Sequence, residues 1–279
     1  MIQWSAGQRW MAAAVFFFSL VHAAVKYLGH IPFFELVFFR ALISLVICIY
    51  LLRSKGISLI GNNRRLLFAR GLAGTCALTG YFYTLQEMPL ATAVTVQYLS
   101  PILTLLIAGI LLREKARTKQ WFYFLAAFVG VLLVKGVDPR VSFLSLFVGI
   151  AAALFSALAY NFVRMLKDSD HALVVVFYFP LTTIPLVGPF AISHWVWPQG
   201  WDWLMVLVIG VGTQIAQVYM TKAYQAEPAS RISLINYIGL LFAIGIGWFG
   251  FAEAIPYLSM VGMAVILTSV LLGTRVKSA

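Results

Sequence analysis

The sequence predicts an all-α integral membrane protein with ten transmembrane helices. Its 279 residues are 62% hydrophobic and only 10% charged, whereas soluble domains are about half apolar and about a quarter charged. Apolar runs of about 20 residues, the length that crosses a bilayer as a helix, recur along the chain. Basic residues fall almost entirely in alternate connections between these runs. A soluble globular domain is therefore excluded.

Ten segments are long and apolar enough to span a bilayer. They are 9–28, 33–53, 66–86, 90–112, 120–136, 145–166, 172–192, 203–224, 230–250 and 257–274. No small-residue cleavage site follows the first segment, so we interpret it as a retained span and not as a signal peptide.

The charge of the connections predicts that both termini are cytoplasmic. Cytoplasmic loops carry an excess of Lys and Arg, and fifteen basic residues fall on the side of the amino terminus: Arg9, Arg53, Lys55, Arg64, Arg65, Arg113, Lys115, Arg117, Lys119, Arg164, Lys167, Lys222, Arg231, Arg275 and Lys277. Only Lys135 and Arg140 fall on the other side. Four tryptophans before span eight suit an outer aromatic belt: Trp195, Trp197, Trp201 and Trp203.

Several other classes of protein and site lack their sequence signals. The 20 Lys and Arg exceed the 9 Asp and Glu, but they lie between apolar runs and not on one solvated face, so nucleic acid is not an expected partner. Cys48 and Cys76 both lie inside apolar runs, which predicts no disulfide framework. No metal motif or nucleotide-binding GxxxxGK[ST] loop is present. We expect neither a metal nor a cofactor.

One long motif occurs twice. At a constant offset, Gln86, Pro89, Tyr98 and Glu114 correspond to Gln225, Pro228, Tyr237 and Glu253, and Gln97 corresponds to Asn236. The connection after span four, "LREKARTKQ", is strongly basic, whereas its counterpart "FAEAIPYLS" has no Lys or Arg. Opposite loop charge and an odd number of spans predict two inverted five-helix repeats, 1–140 and 141–279. In such transporters the substrate site lies near the bilayer midplane, between the repeats.

Two stretches carry a family resemblance: "FFRALISL" at 38–45 and "RGLAGTCALTGYFYTLQEMPLATAVTVQYLSPILTLLIAGILLREK" at 70–115. They resemble the EamA-type ten-helix members of the drug/metabolite transporter superfamily. The longer stretch is similar to solute carrier 35 subfamily G proteins and to bacterial S-adenosylmethionine uptake carriers. The resemblance covers essentially the whole chain. It implies a central cavity lined by spans one, three, four, six, eight and nine, in a multi-pass protein of the bacterial inner membrane. Leu240 departs from the family, whose members often have Pro in span nine.

Four ionisable residues lie inside the apolar spans: Lys26, Glu35, Arg40 and Arg70. Each would cost about 2.5–3.5 kcal/mol if it faced lipid near the bilayer centre. We therefore expect them to face an aqueous cavity or one another. Snorkelling is an alternative for the three that lie near span ends. Arg40 lies deeper, so this alternative is weakest for it.

Helical spacing groups polar and small residues on one face of five spans. The faces are Ser19, His22 and Lys26; Arg70, Gly74, Ala77 and Tyr81; Ala93, Gln97, Pro101 and Thr104; Ser156, Tyr160 and Arg164; and Gln214, Gln217 and Thr221. Asn161 lies beside the fourth face. These faces agree with the cavity that the resemblance implies. The alternative is interhelical hydrogen bonding, which contributes about 0.6 kcal/mol per pair.

The predicted site combines charge, aromatic and amide groups. Its substrate-binding residues are Lys26, Glu35, Arg40, Arg70, Tyr81, Gln97, Tyr98, Tyr160, Asn161, Gln214, Gln217, Asn236 and Tyr237. Lysine or arginine would pair with a carboxylate or phosphate, the tyrosines would stack on apolar parts, and the amides would fix orientation. Glu35 would pair with a cation or exchange a proton.

Three further residues are predicted to act in gating: Pro101, Glu114 and Glu253. A proline inside a span bends the helix. The simpler interpretation of the two glutamates is a solvated carboxylate at a helix end, and the alternative is a salt bridge that closes a gate.

The leading functional hypothesis is a secondary carrier that moves a small polar or amphipathic metabolite, similar to an amino acid, a nucleoside or S-adenosylmethionine, by alternating access. A proton or counter-substrate gradient would drive it, and it would work as a monomer or homodimer in contact with membrane lipid. A multidrug exporter stays open because 15% of the residues are aromatic. A membrane-embedded enzyme is the third hypothesis, although the HExxH and GxSxG motifs are absent.

Overall fold

A computed structural model describes residues 5–111, 118–227, 235 and 238–275, and all regular structure in these ranges is helical. The helices are α1 (Ala6–Tyr27), α2 (Phe33–Ser54), α3 (Arg64–Glu87), α4 (Leu90–Gln97), α5 (Ser100–Leu111), α6 (Thr118–Val137), α7 (Phe143–Met165), α8 (Ala172–Ser193), α9 (Asp202–Leu207), α10 (Thr213–Ala226), α11 (Ile238–Phe251) and α12 (Tyr257–Arg275). A π-helical turn, Val208–Gly212, joins α9 to α10.

The prediction of an all-α, ten-helix membrane fold is confirmed. Span four consists of α4 and α5, and span eight consists of α9, the π turn and α10; each other span is one helix. In the described residues, six helical segments are long and apolar enough to cross a membrane, and three shorter ones are apolar. The tenth span is α3, which carries a buried arginine at position 70.

Span four is interrupted at its centre. Helix α4 ends at Gln97 and α5 begins at Ser100. Pro101 explains the break because it has no N–H to donate to the Gln97 carbonyl and because its ring clashes with that carbonyl. In the intervening turn, Tyr98 N donates to Val94 O at 3.2 Å. The predicted interruption at Pro101 is therefore present, and it leaves the Gln97 carbonyl without the N–H that a helix would supply.

Helices from the two halves of the chain pack against one another. Helix α1 packs along α10, and α3 packs along α7. These two interfaces are equivalent. In each of them the first helix of one predicted unit, α1 or α7, packs along the third span of the other unit, α10 or α3. The other large interfaces, α2 with α8 and α6 with α12, join equivalent helices. The boundaries 1–140 and 141–279 stay a prediction.

Equivalent hydrogen bonds occur in the two halves. Gln86 Nε2 donates to Ile31 O at 2.9 Å, and Gln225 Nε2 donates to Asp170 O at 3.3 Å. Both donors and both acceptors are related by the same offset as the doubled sequence motif. The glutamines of that motif therefore tie the third span of each half to the connection that precedes the second span.

Helix α11 ends in a strained residue. Ala252 has φ of 51°, a left-handed conformation that costs an L residue roughly 1–2 kcal/mol. The following residue, Glu253, donates its N–H to Gly247 O at 2.9 Å and so satisfies one of the carbonyls near the end of the helix. This hydrogen bond fixes the direction in which the Glu253 side chain leaves the helix.

Ala252→Gly should therefore stabilise the protein, by about 0.5–1 kcal/mol, because glycine adopts positive φ without the steric cost. Thermal unfolding of the purified protein in detergent measures the change in Tm. Ala254→Gly is the control, since φ of Ala254 is not positive. A lower Tm for Ala252→Gly than for the natural protein would contradict the assignment of strain.

Candidate functional site

A cavity of about 150 Å³ lies at the centre of the helix bundle. Eight spans contribute to its lining, namely the six that the resemblance implies together with spans two and seven, which contribute Arg40 and Phe179. The polar lining residues are Ser19, His22, Arg40, Arg70, Tyr81, Gln97, Tyr98, Ser100, Ser156, Tyr160, Thr213 and Gln217. A cavity in a membrane bundle that combines these polar groups with a larger apolar surface can hold water or an amphipathic solute.

Seven of the predicted substrate-binding residues line this cavity: Arg40, Arg70, Tyr81, Gln97, Tyr98, Tyr160 and Gln217. The face predicted on span three lines it completely, from Arg70 through Gly74 and Ala77 to Tyr81. Helical spacing alone was enough to find that face because α3 is regular over its whole length.

Two buried arginines dominate the electrostatics of the cavity. Arg40 is 3% exposed and Arg70 is 2% exposed. In the described part of the chain, neither forms an ion pair, and the Nε and Nη1 atoms of both have no hydrogen-bond partner. Buried charges of this kind are costly unless they are paired. The arrangement can therefore bind an anion strongly.

Phe179 lies against both guanidinium groups. Cζ of Arg40 is 4.6 Å from the centre of the Phe179 ring, and Cζ of Arg70 is 5.2 Å from it. Cation–π contacts of this type contribute about 2 kcal/mol when they are desolvated. They replace part of the lost hydration while leaving the guanidinium nitrogens available to a ligand.

Small residues bring Phe179 to this position. A Cβ atom on Gly74 would lie 2.8 Å from Cδ2 of Phe179, and one on Gly71 would lie 2.9 Å from the Tyr178 carbonyl oxygen. The hydroxyls of Thr75 and Thr183 then meet at 2.8 Å between α3 and α8. Sequence reasoning did not identify Phe179, because nothing distinguishes it among 22 phenylalanines.

An amide and several tyrosines complete the lining. Gln97 donates from Nε2 to Ser156 Oγ at 2.7 Å, and its buried Oε1 has no partner among the described residues. Tyr160 stacks on Tyr224, with ring centres 4.8 Å apart. The Tyr81 hydroxyl lies 3.5 Å from His22 Nδ1. These groups offer one free acceptor and aromatic surface to a bound molecule.

Lys26 was expected in the site, but the structure places it elsewhere. Its Nζ lies 3.0 Å from Glu253 Oε1 and donates to Met88 O at 2.6 Å. Because Glu253 neutralises its charge, Lys26 is stable within the bundle without contact with water or a solute in the cavity. It marks one end of the bundle, called the Lys26 end below.

The simpler interpretation of Glu253, a solvated carboxylate, is wrong. Its side chain is 10% exposed, and Oε2 accepts the N–H of Leu90 at 2.7 Å. A carboxylate at this first turn of α4 is favourable because it caps free backbone donors near the positive end of the helix. The alternative interpretation, a salt bridge, describes the observed contact.

Three other predicted residues also lie outside the cavity lining, where they make interhelical or loop contacts. Glu35 is fully buried and accepts Val196 N at 2.8 Å. Asn161 donates to Thr104 O at 3.0 Å. Gln214 donates to Cys48 Sγ at 3.0 Å and accepts from Ser44. For Asn161 and Gln214 the packing alternative describes what is observed, because both amides find partners on neighbouring helices.

Asn236, Tyr237 and Glu114 lie outside the described residues, as do Arg113, Lys115, Arg117, Arg231 and Lys277, and they stay predictions. In the described part of the chain no group of three His, Cys, Asp or Glu side chains could hold a metal ion. Cys48 is buried and Cys76 is exposed, and both are free.

A second ion pair lies near the Lys26 end. Arg140 Nη2 donates to Asp138 Oδ2 at 2.8 Å and to Ala254 O at 2.8 Å. The side-chain hydrogen bond from Arg140 holds the pKa of Asp138 below its ordinary value. The connection after α6 is thereby joined to the segment that carries Glu253.

A ten-helix membrane bundle with ionisable groups buried around a central cavity is the architecture of a membrane transporter, since such groups mark solute pathways. The EamA-like transporter family model matches residues 5–136 and again residues 143–275. The chain belongs to the EamA-like transporter family.

Curated relatives cover most of the chain. It is 30% identical to the pseudopaline exporter CntI of Pseudomonas aeruginosa strain UCBPP-PA14, over 95% of this chain and 94% of the relative. It is 26% identical to an S-adenosylmethionine uptake transporter of Rickettsia prowazekii, over 90% and 88% of the two chains. Solute carrier family 35 member G1 of Mus musculus is also 26% identical, over 95% and 76%.

A solved crystal structure has the same fold. It matches with a TM-score of 0.74 over 99% of this chain and 100% of the other chain, at 21% sequence identity. The relatives and the family model together make this protein a membrane transporter of the family that the sequence resembles.

Gly74→Ala should lower the free energy of unfolding by about 1–3 kcal/mol, because the added methyl group collides with Phe179 in a packed interface. Gly245→Ala is the matched control, since nothing lies within 4 Å of a Cβ atom there, and alanine is the better helix former. Thermal unfolding in detergent compares the two variants. Equal Tm values would show that the approach of Phe179 does not depend on Gly74.

Proposed function

We propose that this protein is a secondary transporter that moves a small polar or amphipathic metabolite through the central cavity by alternating access. The observation that carries the proposal is the pair of buried guanidinium groups, Arg40 and Arg70, whose Nε and Nη1 atoms lack partners in the described chain. A group of opposite charge is the partner that such a site requires. The transported molecule therefore carries an anionic group.

Different groups of the lining would bind different parts of the substrate. Guanidinium groups bind carboxylates and phosphates through charge-assisted hydrogen bonds. Tyr81, Tyr98 and Tyr160 provide aromatic surface, and Gln97 Oε1 accepts a hydrogen bond from an N–H or O–H group. The relatives named for an exporter and for S-adenosylmethionine uptake support a metabolite, and we propose as its class an amino-acid-like, nucleoside-like or S-adenosylmethionine-like molecule that carries a carboxylate or phosphate.

The two repeats 1–140 and 141–279 would form the moving halves. The double match of the family model, the exchangeable helix interfaces and the equivalent glutamine hydrogen bonds support this proposal. An inverted pair of units places the substrate site between them, near the midplane of the membrane. The cavity lies between helices of both halves.

We place the Lys26 end outside and both termini in the cytoplasm of a bacterial cell, with the protein in the inner membrane. Five exposed basic residues near Asp170, at the opposite end of the bundle, support this orientation under the positive-inside rule. They are Arg53, Lys55, Arg64, Arg65 and Lys167. A gradient of protons or of a counter-substrate would drive transport.

The ion pair between Lys26 and Glu253 would close the outer end. It joins α1 to the segment after α11, and Glu253 also caps α4 through Leu90. Helices α1 and α4 line the cavity, and α11, which precedes the segment with Glu253, contributes Gly239 to it, so releasing the pair would free these helices to separate at the outer end. The break at Pro101 would allow α4 to move without α5.

Arg40→Ala should abolish transport while the protein stays inserted and folded, since the cavity loses an anion-binding charge that packing does not require. Proteoliposomes and a pool of labelled amino acids, nucleosides and S-adenosylmethionine measure uptake in both directions, and circular dichroism checks folding. Arg53→Ala, an exposed arginine on the same helix, should keep full activity. Full transport activity of Arg40→Ala would show that Arg40 is not required for substrate binding. Natural protein that accumulates no solute under any gradient would remove support for the function.

Lys26→Met or Glu253→Gln should open the outer end. We expect about a tenfold faster reaction of a membrane-impermeant maleimide with Ser19→Cys in a Cys76→Ser background, the change that about 1.4 kcal/mol produces. Glu253→Gln keeps an oxygen that caps Leu90, so it isolates the charge. Lys119→Met, an exposed lysine on α6, is the control. An unchanged rate in both test variants would refute the gate.

A further inference from the structure

The charges of the cavity do not balance. Arg40 and Arg70 contribute two positive charges, and no Asp or Glu is among the described residues of the lining. Glu253, at the Lys26 end, lies outside the lining and is neutralised by Lys26. Glu35 lies outside the lining and bonds to Val196. The lining formed by the described residues therefore carries two positive charges with no protein counter-charge.

Both charges act on the same small volume. The two guanidinium groups lie against one Phe179 ring, and their mutual repulsion is strong where water is scarce. Each keeps at least two buried nitrogens without partners. One monovalent carboxylate has acceptor positions for these four donor atoms, but its single negative charge cancels only one of the two positive charges.

Alternating access makes the imbalance costly. The site has to close at both ends during transport, and a closed, weakly hydrated cavity penalises any net charge. A monovalent anion would leave one positive charge uncompensated. Two negative charges would neutralise the pair, and a neutral or cationic molecule would neutralise neither.

We propose that the transported molecule enters the site as a dianion. It carries either two anionic groups, as a dicarboxylate does, or one doubly charged group, as a phosphate monoester does. This inference rests on the proposed function and narrows its substrate class. Arg40 and Arg70 act together as the residues that select for charge.

Thermal shift of the purified protein tests the inference with named probes at matched ionic strength. Succinate and glutarate are compared with their monoamides, succinamate and glutaramate, which have nearly the same shape and one charge fewer. Sulfate is compared with nitrate. A ligand that binds the folded state raises Tm by mass action, so titrations give apparent affinities.

We expect the dianion of at least one pair to bind at least tenfold more tightly than its monovalent counterpart. Tighter binding of the dicarboxylates than of their monoamides would indicate that the transported molecule carries two separate anionic groups. Tighter binding of sulfate than of nitrate would indicate one doubly charged group. In Arg40→Gln and in Arg70→Gln the ratio of affinities should fall towards one. Arg53→Gln, the control, should retain the ratio of the natural protein.

Equal affinity for the two members of every pair, or the absence of any shift with the dianions, would overturn the inference. So would a preference that survives in both arginine variants. Uptake of solutes into proteoliposomes tests the proposed transport function independently of this binding result. If dianions bind but no solute crosses the bilayer, the proposed function fails, while the selectivity of the site for dianions stands. If solutes with a single anionic group are transported and dianions do not bind, the inference fails and the function stands.

Discussion

The contact of two arginines with one phenylalanine ring is the interaction on which the proposed anion site depends. Arg40 and Arg70 belong to different helices of the first half, and Phe179 belongs to the second half. An aromatic face attracts a cation without consuming its hydrogen-bond donors. The ring therefore makes two buried charges tolerable in the bilayer while it leaves them able to bind an anion, and it does so at the junction of the two halves.

The rest of the bundle positions these groups. Gly71 and Gly74 let α8 approach α3, because side chains there would collide with Tyr178 and Phe179. Helix association in a membrane is stabilised mainly by close van der Waals contact, which small residues permit. Arg70, which we propose binds an anion, and the glycines that permit close packing are thus neighbours on one helix. A change in packing would be transmitted directly to the proposed binding site.

Regular helices made much of this arrangement predictable from the sequence. The ten spans follow from hydropathy, and the face of α3 from Arg70 to Tyr81 follows from its helical period. Longer-range contacts did not follow. Lys26 was expected in the cavity because a charge in a span needs a partner, but its partner Glu253 lies in a connection more than two hundred residues away. The contact of Phe179 with the two arginines depends on the packing of α8 against α3, which the sequence alone does not give.

The most direct test of the central claim is an experimental structure of the protein in a lipid nanodisc, solved with succinate and with sulfate. We predict that density for an anion lies within hydrogen-bond distance of both guanidinium groups, with Phe179 still packed against them. A structure in which a carboxylate of the protein itself forms an ion pair with Arg40 or Arg70 in the presence of these anions would contradict the account.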